Sequence, residues 1–76
     1  MNREYRVNVL KTIVDQASLR LMLGDMNIAK AEELVTRVRN QARLLLPNDM
    51  ATYDLIYHSR LTRLVEQFIR SKDFEG

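Results

Sequence analysis

The sequence predicts an all-α fold: a three-helix, up-down-up antiparallel bundle that associates as a homodimer. Apolar residues recur at alternating spacings of three and four along three segments, the signature of helices with one buried stripe. Gly24 and Pro47 fall at the two breaks between those segments, and the only other glycine is the terminal Gly76. The chain is 76 residues long and has no cysteine. A domain this short hides only about 60% of the surface its unfolded chain exposes. With no disulfide to supplement a thin interior, the remaining stability is expected from helix packing or self-association.

The first helix is expected over about residues 3–23, with Val7, Leu10, Val14, Ala17 and Leu21 as its stripe and Ile13 widening it. Gly24 follows where a left-handed cap is wanted, because a residue without Cβ takes that conformation cheaply. Asp25 or Asn27 then caps the second helix by accepting its free backbone amides. So short a turn makes the first two helices antiparallel neighbours.

The second helix is expected over about residues 28–46, burying Ile28, Ala31, Val35, Val38, Ala42 and Leu45 and turning Thr36, Asn40 and Arg43 outward. Glu32 and Glu33 lie near its positive end and Arg39 and Arg43 near its negative end. Glu33 precedes Arg37 by one turn, the favourable order for an ion pair. Pro47 ends the segment, since it supplies no amide and disfavours helix in the residue before it.

The third helix is expected over about residues 50–72, capped by Asn48 or Asp49. Met50, Tyr53, Tyr57, Leu61, Leu64 and Phe68 form its expected stripe, with Val65 and Ile69 at the edge and Glu66–Arg70 as a second ion pair. It should fray near Lys72, leaving a short polar tail whose Phe74 could dock on a neighbour. The whole chain, 1–76, reads as one helical domain.

The run Gly24-Asp25-Met26-Asn27-Ile28-Ala29 resembles the turn of a tetratricopeptide hairpin. The resemblance covers six residues. The helix after it is longer than that repeat allows and no second copy exists, so the family is not assigned.

Six apolar residues fall off the principal stripes or near helix ends: Tyr5, Leu19, Leu23, Leu44, Leu55 and Ile56. Single exposed apolar residues are ordinary. So many on so small a chain point to cover by another molecule, and these six are the candidate protein interface. The charge is lopsided: residues 34–72 carry seven cations and three anions, although the whole chain is only +2. Nine of the twelve cations are Arg, whose planar fork suits carboxylate or phosphate. Arg37, Arg39, Arg43, Arg60, Arg63 and Arg70 are therefore candidate contacts for an acidic partner or for phosphates.

Asp54 and His58 stand one turn apart and are expected to form a structural polar pair that fixes helix register or sits at an interface. Catalysis would need a nucleophile or a convergent polar pocket, and a metal site would need further ligands; the sequence offers only Ser59 beside them. No cofactor, metal or small-molecule substrate is expected. The longest apolar run is Leu44-Leu45-Leu46, far short of the ~20 residues that span a bilayer, and no apolar signal core opens the chain. Taken together, the sequence predicts a non-enzymatic cytoplasmic adaptor, inhibitor or regulator that presents a helix face to a partner protein, itself included. The alternative is a nucleic-acid-binding regulator using the same arginines on phosphates.

Overall fold

The computed structural model describes residues 2–71, and among them there is no strand. Helix α1 spans Arg3–Leu23. Asn2 opens it by accepting the Tyr5 amide on Oδ1 at 2.7 Å. Gly24 closes it in the left-handed region, at φ 67° and ψ 23°, and returns its own amide to the Leu21 carbonyl at 3.1 Å. Of the two caps the sequence offers for the next helix, Asn27 is used: its Oδ1 accepts from the Lys30 amide at 2.8 Å. Helix α2 then spans Ile28–Leu45.

Pro47–Asp49 form a 3-10 turn, with the Asp49 amide bonded to the Leu46 carbonyl at 3.0 Å. The expected side-chain cap from Asn48 or Asp49 does not form. The turn winds directly into the third helix, and the Asp49 carboxylate is drawn back to Arg3, 3.4 Å from its Nε.

The third helix is continuous over residues 50–71 but not uniformly wound. Met50–Tyr53 and Ser59–Val65 are α-helical, while Asp54–His58 and Glu66–Arg70 are π-helical. In the two wide turns the Ser59 amide reaches back five residues to the Asp54 carbonyl and the Ser71 amide to that of Glu66. The hydroxyls of Ser59, Thr62 and Ser71 also take nearby carbonyls, at 3.0, 2.8 and 2.6 Å. Such back-bonding competes with the regular amide ladder and bends helices.

The wide turns change which residues face inward. Tyr53, Leu61, Val65 and Ile69 are buried, whereas Met50, Tyr57, Leu64 and Phe68 are only partly so. The expected stripe is thus corrected at its C-terminal end, where Val65 and Ile69 replace Leu64 and Phe68. In an α-helix of 3.6 residues per turn, a spacing of four overshoots by about 40° each time. The series 53, 57, 61, 65, 69 would therefore spiral off the core. Wider turns absorb the overshoot and hold the series on one face.

The core joins these residues to Leu10, Val14, Ala17 and Leu21 of α1, and to Ala31, Val35, Val38 and Ala42 of α2, as the spacing predicts, together with Leu46. Leu21, Leu61, Ile69 and Val14 are the largest side chains wholly removed from solvent, each contributing roughly 1.5–3 kcal/mol by burial. Long-range polar contacts fix the helix directions. Arg6 donates to the Leu45 carbonyl at 3.3 Å, tying the start of α1 to the end of α2. Arg70 bonds Glu32 at 2.7 Å, tying the end of the third helix to the start of α2. The result is an antiparallel rod 46 Å long and 19 by 16 Å across. Lys72 and Phe74, for which fraying and docking are expected, lie outside the described residues.

Candidate functional site

All six side chains expected off the core are exposed, and Met22 joins them. Leu44 at 84%, Leu55 at 76% and Leu23 at 73% are close to free in water. Their positions follow from helix geometry. On α1, Tyr5, Leu19 and Leu23 project from the side opposite Leu10, Val14 and Leu21, so this helix is apolar on two sides rather than one. Tyr5 stands about 21 Å along the axis from Leu19, at 1.5 Å per residue. Leu44 projects from the outer side of α2. Leu55 and Ile56 sit next to each other in the first π turn of the third helix. The six residues therefore make several small apolar faces spread over three helices.

The six arginines divide in half. Arg37 pairs with Glu33 at 3.1 Å. Arg70 holds Glu32 at 2.7 Å and lies 3.0 Å from Glu66 through Nε, although off the line of a good hydrogen bond. Arg39 forks onto Asp54, with Nε and Nη2 each donating to one carboxylate oxygen at 2.9 Å. Arg43, Arg60 and Arg63 are exposed and have no carboxylate partner among the described residues. Arg60 lies over the Tyr57 ring, 5.9 Å from its centroid.

The Asp54–His58 pair is corrected. Asp54 bonds Arg39 through both oxygens, and the imidazole Nδ1 of His58 is buried without a partner. Asp54 begins the first π turn, in which the Ser59 amide reaches back to its carbonyl. Arg39, arriving from α2, supplies the fork that the carboxylate geometry favours. Nothing local in the sequence marks this pair, whose members are 15 positions apart.

Electrostatics follow the contacts. The Asp54 carboxyl is held below its ordinary range, chiefly by hydrogen bonds from Arg39; burial opposes this, and the positive fields of Arg39, His58 and Arg43 assist. The Arg39 guanidinium is correspondingly raised by its bonds to Asp54. Tyr53, wedged beside this pair with its hydroxyl buried and unpartnered, is pushed up to about 12, first by burial and then by the Asp54 charge. Its ring packs tilted against Tyr57 and His58, with centroids 5.9 and 6.4 Å apart.

His58 opens onto a groove of about 210 Å³ between α2 and the third helix, lined also by Thr36, Thr62, Glu32, Glu66 and Arg70. Among the described residues no three His, Cys, Asp or Glu side chains come together as a metal cage. No helix among those residues is long and apolar enough to cross a membrane. Met22 was legible as one more apolar residue outside the α1 stripe. The strict four-residue series ending at Val65 and Ile69 was legible too, as a spacing no regular α-helix keeps on one side. Compared with known proteins, the chain matches no family model, no curated protein and no solved structure.

Proposed function

We propose that this chain is a small non-enzymatic interaction protein, an adaptor, inhibitor or regulator, that works by presenting helix faces to a partner protein and to a second copy of itself. The observation that carries the reading is the exposure, among the described residues, of seven large apolar side chains: Tyr5, Leu19, Met22, Leu23, Leu44, Leu55 and Ile56. Where such residues adjoin, as Leu19, Met22 and Leu23 do, they form an apolar face of the kind that marks interaction sites, and occupancy of such faces is how binding modules act. Leu19, Met22 and Leu23 cluster within one turn of α1, which suits self-pairing along that helix.

The test is the mass in solution. Sedimentation equilibrium should report a concentration-dependent dimer of the 9.0 kDa chain, and Leu19→Ser with Leu23→Ser should return it to monomer without unfolding it. A wild-type monomer at every concentration would remove self-association from the proposal. The nucleic-acid alternative needs phosphate contacts from arginines of which three, Arg37, Arg39 and Arg70, already hold carboxylates. It predicts binding to mixed duplex DNA that weakens steeply with salt.

A further inference from the structure

We infer that the outer face of the third helix is a docking site for an acidic amphipathic helix, one that carries leucine-like side chains beside carboxylates. The inference rests on the interaction reading above and specifies the partner's chemistry at one of its faces. Leu55 and Ile56 lie side by side in the first π turn and are 76% and 48% exposed. A wide turn places one more residue per bonded ring than an α turn does, and here the turn presents two apolar residues together. From Ile56, the spacings of four and three continue outward through Arg60 and Arg63, so the apolar pair runs directly into two cations on the same stripe.

The electrostatics of this face are one-sided. Arg60 is steadied over the Tyr57 ring. Neither it nor Arg63 meets a carboxylate among the described residues. Asp54 points to the α2 side of the helix, where the Arg39 fork holds it, and Glu66, one turn beyond Arg63, pairs with Arg70. A basic partner is therefore repelled and an acidic one attracted, while the adjacent leucine and isoleucine require apolar contact as well. That combination fits an amphipathic acidic helix better than a phosphate chain, which offers charge without a hydrophobic stripe.

The experiment uses the full chain and two designed helical peptides of about 18 residues. Both carry the same leucine stripe; one is flanked by Glu and the other by Lys. Fluorescence anisotropy should show binding of the Glu peptide and not of the Lys peptide. Leu55→Ser with Ile56→Ser should weaken it roughly tenfold or more, the loss expected for two apolar contacts. Arg60→Glu with Arg63→Glu should reverse the preference toward the Lys peptide. All four positions are exposed, so circular dichroism should find both variants folded like the wild type.

Equal binding of the two peptides, or no loss in the serine variant, would falsify the inference. So would tighter binding of duplex DNA or of phosphatidylserine vesicles that the glutamate variant loses and the serine variant keeps. A chain that dimerises through α1 yet ignores the Glu peptide sinks this inference alone. One that neither dimerises nor binds either peptide sinks the interaction reading with it.

Discussion

The Arg39 guanidinium grips the Asp54 carboxylate through two parallel hydrogen bonds of 2.9 Å, joining α2 to the third helix where the latter is wound as a π turn. The pair is about one-third exposed on each side, and its two-pronged geometry marks it out among the surface ion pairs of this chain.

Acid should loosen this junction. The folded-state pKa of Asp54 lies below the ordinary 3.8, so its stabilisation is fully present above that value and disappears as pH falls through the folded one. Asp54→Asn should therefore lower the urea midpoint at neutral pH. The gap from the wild type should close progressively on acidification, and a gap that stays constant with pH would show the carboxylate charge to be irrelevant.

Alkali should act through Tyr53. Its folded pKa is about 12 against 10.0 for a free tyrosine. The unfolded chain thus ionises first, and stability is complete below pH 10 and declines as pH rises toward 12. Phenolate absorbance should show one tyrosine titrating late, and Tyr53→Phe should remove that late titration. Because the buried hydroxyl has no partner, Phe should also leave the fold at least as stable at neutral pH.

The phase of the third helix can be read by truncation. Ile69→Ala removes a fully buried side chain and should cost roughly 2–5 kcal/mol. Leu55→Ala, on the exposed side, should stay within about 0.5 kcal/mol of the wild type. Phe68→Ala should fall between them. If Phe68 proved the costlier truncation, urea denaturation would have shown the helix to be regularly α-wound.

The α1–α2 turn depends on Gly24. Alanine there must take φ 67° with a Cβ present, which costs about 1–2 kcal/mol. Thermal unfolding of Gly24→Ala should show that loss, and Asp25→Ala, whose carboxylate caps nothing, should not.

What the sequence determined by itself is everything with a local cause. The extents of α1 and α2, their stripes, the left-handed stop at Gly24, a side-chain cap from Asp25 or Asn27 and the Glu33–Arg37 and Glu66–Arg70 contacts all arise among residues within a turn or two of each other. The outward set Tyr5, Leu19, Leu23, Leu44, Leu55 and Ile56 was equally legible, since it is what the stripes leave over. Tertiary structure decided the rest. Asp54 chose Arg39 over His58, and Arg6 found the Leu45 carbonyl, because a fork or a free carbonyl on another helix was better placed than any neighbour along the chain. Val65 and Ile69 displaced Leu64 and Phe68 because helix winding is soft enough to widen by a residue when the core rewards it. Spacing fixes which residues can share a face on a regular helix; packing against α1 and α2 decided how regular the third helix would be.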